Sequence, residues 1–362
     1  MDIKNLVRKE VLNQEAYCAS SVPCRIRLDA NENPYTLSAS QKSKIIESLE
    51  KVPLNRYPEP GSPELRRGFA GLYGVDEDML IVGNGSDELI QLLLIAVKGG
   101  ASGVMIPVPT FAMYKISALN TGHRVIEVPL DDRFDLDVDS MLEIIKNRSP
   151  ELVFLSYPNN PTGNCFNPGK IEAVIRASSG IVVVDEAYFN FAGRTFLPYL
   201  DKYDNLAVLK SLSKAGLAAM RIGIFIGCPL LAKELNKVRL PYNLNAFSQI
   251  IARFYVENEA DFQKQADKVA GKREDLFRGL SKIDGIRPYP SDANFILFNC
   301  SFDTGSVYKG LIKREILIRK FNAPGILGSC MRVTVGNCKE NDEFLEALRD
   351  VVAGERARKG LE

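Results

Sequence analysis

The run Ile181-Val182-Val183-Val184-Asp185-Glu186-Ala187-Tyr188 constrains the fold of this 362-residue chain more than any other stretch. Four consecutive β-branched residues leave no polar face, so they predict a strand covered on both sides, as in a mostly parallel sheet between helical layers. Similar apolar runs recur at residues 103–107, 125–128, 152–156, 207–210 and 222–227. Helical segments are expected between them over 87–97, 112–120, 140–146, 168–177 and 230–238. The pattern predicts an α/β domain with a mostly parallel sheet. Its first helix is expected to start at Ser86 as N-cap, with Asp87 and Glu88 in the first turn.

From residue 246 the texture changes to a long amphipathic helix reaching 280. Short strands near 295–298, 316–318 and 332–335 and a final helix over 340–352 then predict a smaller α+β domain. Residues 1–60, rich in proline and too irregular for the main sheet, are expected to join it. The predicted division is therefore 1–60, 61–245 and 246–362, with a frayed tail over 354–362.

Composition removes whole classes of chemistry. His123 is the only histidine, so a multi-histidine zinc site is excluded and a Ser-His-Asp hydrolase would have to use a residue at a strand entrance. The 46 basic and 45 acidic residues balance to a net charge of +1, which argues against nucleic acid or an anionic membrane as principal partner. Seven cysteines without two-residue spacing argue against zinc knuckles and dithiol motifs. The charged start, MDIKNLVRKE, lacks the apolar core of a signal peptide, and no aliphatic run approaches the ~20 residues that span a bilayer. A cytoplasmic protein is expected.

Five constellations fall at expected strand ends, where α/β proteins place ligands. Gly83-Asn84-Gly85-Ser86-Asp87-Glu88 is a glycine turn entering a helix, either an ordinary turn or a phosphate cradle of backbone N–H groups. Tyr157-Pro158-Asn159-Asn160-Pro161-Thr162-Gly163 reads as a turn, but Asn160 could offer its amide to a ligand oxygen. Asp185 and Glu186 end a buried strand, and such carboxylates are costly unless a cation meets them. No third clustered acid and no histidine supports a metal, so a cationic heterocycle fits better. Ser211-Leu212-Ser213-Lys214 places a lysine after an interior strand, as a surface residue or as an amine whose pKa burial depresses. Arg221 precedes an apolar run, and Arg319 and Arg332 end short strands; each suits bidentate anion binding, with edge-strand solubility the alternative for Arg332.

Read in order, Asn160, Asp185 with Tyr188, Ser211 to Lys214, Arg221 and Arg332 resemble the class I/II pyridoxal-phosphate-dependent aminotransferases of fold-type I, over about residues 25–352. Leu28-Asp29-Ala30-Asn31-Glu32-Asn33-Pro34, Arg56 to Pro60 and Met331 to Gly336 are most similar to the histidinol-phosphate branch. The resemblance implies a large domain with a seven-stranded sheet and pyridoxal 5'-phosphate held as a Schiff base (internal aldimine) on Lys214, which also moves protons. It implies that Asp185 faces the pyridine nitrogen and that Asn160 and Tyr188 meet the phenolic oxygen. Ser86, Asp87, Ser211, Ser213 and Arg221 would hold the phosphate, with Phe111 stacked on the ring where the family often has tyrosine. Arg332 and Arg319 would clamp substrate anions, aided by Asn160, and Tyr57 and Tyr242 would reach a neighbouring subunit's site in a homodimer. Glu32 and Asn33 receive no role.

The implied substrates are histidinol phosphate and 2-oxoglutarate or glutamate, in histidine biosynthesis. An amino-acid-phosphate decarboxylase of threonine-phosphate type and an aromatic amino-acid aminotransferase share the same features. A ligand-binding regulator on this fold would need an added DNA-binding domain.

Overall fold

The computed structural model describes residues 2–14, 16, 22–99, 102–322 and 325–358. Twelve strands are present among them: β1 (Ile26–Leu28), β2 (Leu80–Asn84), β3 (Val104–Val108), β4 (Val125–Pro129), β5 (Leu152–Ser156), β6 (Ile181–Asp185), β7 (Leu206–Ser211), β8 (Ile222–Gly227), β9 (Ile286–Pro288), β10 (Phe295–Cys300), β11 (Ile316–Lys320) and β12 (Cys330–Thr334). Seven form one sheet in the order β2-β8-β7-β6-β5-β3-β4. Only β8 runs antiparallel to its neighbours, so the sheet is mostly parallel, as expected.

Strand β6 explains the β-branched run. Val182 and Val184 pack on one side with Val153, Leu155 and Val208, while Val183 packs on the other with Phe154, Ala207 and Leu209. Each side chain is removed from water, a gain of roughly 1.5–3 kcal/mol apiece. Helices cover both faces, among them Gly85–Ala96, Ala112–Asn120, Pro168–Ala177 and Pro229–Val238. Strand β2 has only three apolar residues before Gly83, too few for periodicity to distinguish it from a loop.

The other five strands form a sheet in the order β1-β11-β12-β10-β9, antiparallel except for β1 beside β11. Helices Glu259–Ser281 and Cys338–Arg358 supply Leu276, Leu280, Phe344 and Leu348 to its core. Of the amino-terminal residues, β1 joins this sheet. Helix Ala39–Leu49, begun by a Ser38–Gln41 capping box, instead buries Ile45 in the core of the large sheet. Residues 1–60 therefore do not all join the smaller sheet, and the segment is less irregular than its prolines suggested.

Three further expectations are corrected. The first large-sheet helix starts at Gly85 with Asn84 as N-cap, so Ser86 is already inside it; the Glu88 carboxylate accepts from the Asn84 N–H. The helix expected over 246–280 is two, Ala246–Glu257 and Glu259–Ser281. It breaks at Asn258, whose side chain donates to the Phe254 carbonyl at 2.8 Å. The last helix extends to Arg358, through the first residues of the expected tail; residues 359–362 lie outside the described set. Among the described residues no helix is long and apolar enough to cross a membrane.

Candidate active site

Asp185 ends β6 at the carboxyl edge of the sheet and is 2% exposed. Tyr114 donates its hydroxyl to Oδ2 at 2.7 Å, and the Ala187 N–H donates to Oδ1 at 3.0 Å. Burial nevertheless pushes the carboxyl up to about 6, with these two bonds pulling the other way. Two donors thus favour an anion that burial disfavours, and a cation beside it would complete the arrangement.

Glu186 points elsewhere and is balanced internally. Lys210 Nζ lies 2.6 Å from its Oε2, the Thr195 hydroxyl donates at 2.8 Å, and the Phe196 N–H at 2.5 Å. Both charged side chains are at most 2% exposed, and the Lys210 ammonium sits 3.9 Å from the centre of the Phe189 ring. The two carboxylates that looked equally costly in sequence therefore have different partners.

Lys214 follows β7 in a tight bend that Gly216 makes possible at φ 109°. Its ammonium donates to the Ala30 carbonyl at 2.9 Å. Burial, and then the charges of Arg332 and Arg221, lower its pKa to about 8, despite the opposing pull of Glu32 and Asp87. Tyr188 is buried, and its hydroxyl oxygen accepts from Asn31 Nδ2 at 2.9 Å.

Arg221, itself at positive φ, bonds Asp87 at 2.9 Å and the Ser213 hydroxyl at 3.2 Å. A Cβ on Gly85 would sit 2.6 Å from its Nη2, and one on Gly223 would sit 2.4 Å from the Gly85 backbone. Only glycine at both positions lets the arginine, the Ser86 turn and β8 come this close. Ser211 accepts from the Ser213 N–H at 3.2 Å, which fixes the hydroxyl-bearing loop.

Arg332 on β12 donates to Asn160 Oδ1 at 2.5 Å and to the Asp29 carbonyl at 2.8 Å, with its guanidinium 5.0 Å from the centre of the Phe295 ring. It pairs in register with Arg319 of β11, so both arginines stand on one face of the smaller sheet. Phe111 meets Tyr114 edge to face at 5.5 Å, linking it to the Asp185 partner. Tyr57 and Tyr242 are not drawn into this hydrogen-bonded set among the described contacts. Exposed, they stack on each other at 4.4 Å.

Sequence reasoning missed Tyr114 and Asn31. Nothing in periodicity aims a helical tyrosine at Asp185, whereas Asn31 has a recognisable signal: asparagine tolerates the positive φ of 54° that it adopts. Asn159, passed over beside Asn160, is buried and ties the Pro109 carbonyl and the Thr110 and Thr162 hydroxyls together. His123 is buried against Thr121, its Nδ1 2.9 Å from that hydroxyl, and burial lowers its pKa.

The aminotransferase class I and II family matches residues 25–348. A histidinol-phosphate aminotransferase 2 of Nitrosococcus oceani is 44% identical over 346 residues, covering 95% of this chain and 96% of that one. A histidinol-phosphate aminotransferase of Aquifex aeolicus is 41% identical, covering 96% and 98%. The fold is similar to a crystal structure of histidinol-phosphate aminotransferase from Sinorhizobium meliloti in complex with pyridoxal-5'-phosphate, at TM-score 0.84 and 23% identity over 92% of each chain. L-threonine-O-3-phosphate decarboxylase from Porphyromonas gingivalis has the same fold, at TM-score 0.79 and 23% identity over 91% of this chain and 99% of that one. With a family match spanning most of its length and relatives above 40% identity, this chain belongs to the aminotransferase class I and II family.

Proposed function

We propose that this chain is a histidinol-phosphate aminotransferase that uses 2-oxoglutarate as amino acceptor and carries pyridoxal 5'-phosphate covalently on Lys214. The observation that carries the reading is the convergence of a buried Asp185, a Lys214 amine held near pKa 8, and Arg332 in register with Arg319. The names of the relatives support the substrate.

The residues suit the cofactor. Asp185 offers a buried anion to a ring nitrogen, and Gly85, Ser213 and Arg221, which lie together, would offer N–H, hydroxyl and guanidinium donors to a phosphate. When bound, pyridoxal phosphate supplies an electron-withdrawing ring that stabilises negative charge at the substrate's nitrogen-bearing carbon. Asp185 keeps the proton on the ring nitrogen. Lys214, neutral in part near pH 8, takes and returns the proton at the substrate carbon. Asn160 and Tyr188 would offer hydrogen bonds to the phenolic oxygen. Arg332 and Arg319 bind the substrate's phosphate, or the carboxylate of the second substrate, by forked hydrogen bonds.

The remaining assignments follow the same reading. Ser86, Asp87 and Ser211 line the phosphate site, and Phe111 covers the ring. Tyr57 and Tyr242 serve a partner's site in a cytoplasmic homodimer. The working division is a segment 1–60, a cofactor-binding domain 61–245 and a smaller domain 246–362. The test is a half-reaction: histidinol phosphate alone bleaches the visible band of the loaded protein, and 2-oxoglutarate restores it. A band that histidinol phosphate leaves unchanged contradicts the reading.

A further inference from the structure

We propose that Asn31 is a positioning residue for the Tyr188 hydroxyl, held in a left-handed turn that ties this phenol to the strand carrying Arg332. The proposal rests on the functional reading above for the role of Tyr188.

Asn31 is 1% exposed, and all its polar groups are used. Nδ2 donates to the Tyr188 oxygen at 2.9 Å. The Thr334 hydroxyl, 3.2 Å from Oδ1, also accepts from the Asn31 N–H at 2.9 Å. The Asn31 carbonyl accepts from Asn294 Nδ2 at 3.0 Å, a side chain fully buried. The amide nitrogen faces Tyr188 and the amide oxygen faces Thr334. In this orientation Thr334 gives its one hydroxyl proton to Oδ1, and one Nδ2 proton goes to the Tyr188 oxygen.

A phenol that accepts from an amide keeps its own proton for another acceptor and becomes a stronger donor. Asn31 thus leaves the Tyr188 proton for a ligand oxygen. The same turn presents the Ala30 carbonyl to Lys214 and the Asp29 carbonyl to Arg332, at 2.9 and 2.8 Å. Thr334 lies two residues beyond Arg332 on β12, so a shift of the anion clamp is felt at the tyrosine. A side chain at positive φ restricts the choice of residue. Glycine keeps the backbone and deletes the amide, while aspartate keeps the shape and removes the donor.

The test loads wild type, Asn31→Gly, Asn31→Asp, Tyr188→Phe and the Asn31→Gly/Tyr188→Phe double variant with pyridoxal phosphate and titrates the visible absorption against pH. Loss of one hydrogen bond to the phenol moves the midpoint of Asn31→Gly upward by about half to one pH unit. Asn31→Asp also moves it upward, and kcat falls in both. In the Tyr188→Phe background Asn31→Gly adds no further shift. An unmoved midpoint in both single variants, or an equal shift in both backgrounds, overturns the proposal. If wild type develops no visible band, the functional reading fails first. The contact is then tested in cofactor-free protein by the tyrosine 13Cζ NMR signal that Tyr188→Phe deletes. That signal moves in Asn31→Gly under the proposal, and an unmoved signal overturns it.

Discussion

The Tyr114 hydroxyl lies 2.7 Å from Asp185 Oδ2 and holds down a carboxyl that burial drives up to about 6. Tyr114→Phe removes that donor, so Asp185 ionises only at higher pH. A hydrogen bond to a charged group is worth roughly 1.5–3 kcal/mol, and kcat/KM is expected to fall about 10- to 100-fold. The acid limb of its pH profile moves to higher pH; a limb that stays in place contradicts the role given to this bond.

Both titrating groups tie stability to pH in the cofactor-free protein, with opposite signs. The Asp185 pKa is raised on folding, so its contribution is full below about pH 4 and is lost as pH rises through about 6. Asp185→Asn is therefore expected to gain on wild type by up to about 3 kcal/mol between those limits. Urea unfolding at pH 4 and pH 7 checks it.

The Lys214 pKa is lowered, so its charged form costs stability at neutral pH, and the cost disappears as pH rises from about 8 to the unfolded value of 10.5. Lys214→Met is expected to stabilise the cofactor-free protein by about 1–2 kcal/mol at pH 7, allowing for solvent screening of a half-buried amine. The gap narrows above pH 8. A gap independent of pH would show that packing, not charge, sets it.

Lys210 and Glu186 have no route to water, so their bond resists single substitution. Lys210→Met leaves the Glu186 carboxylate buried without its cation and is expected to cost about 3–5 kcal/mol in urea unfolding. The double variant Lys210→Met/Glu186→Gln recovers most of the loss, and a double variant no better than the single one contradicts this account.

How far the site was legible varies with the physical origin of each residue's position. Asp185 could be placed because a strand's burial shows in its own sequence, and Lys214 and Arg221 because they flank such strands. The partition of Asp185 from Glu186 could not, since Lys210 sits 24 residues further along and only strand pairing brings it near. Asn31 and Tyr114 act across 157 and 71 residues of sequence, through a left-handed turn and a helix face whose aim depends on packing. The break at Asn258, where the backbone leaves helical values and the side chain bonds the Phe254 carbonyl, is not registered by periodicity.

Under the proposed shared-site homodimer, Tyr57, which stacks on Tyr242, serves the partner's site. Tyr57→Phe is expected to leave the sedimentation coefficient unchanged and weaken cofactor retention, measured by dialysis. A fully active monomer of wild type would contradict the shared-site homodimer.

The central claim is tested most directly by supplying the loaded protein with histidinol phosphate and 2-oxoglutarate and measuring glutamate, alongside carbon dioxide released from threonine phosphate. The account predicts catalytic glutamate formation that Lys214→Ala abolishes, with no carbon dioxide. Absence of glutamate, or carbon dioxide in its place, would contradict it.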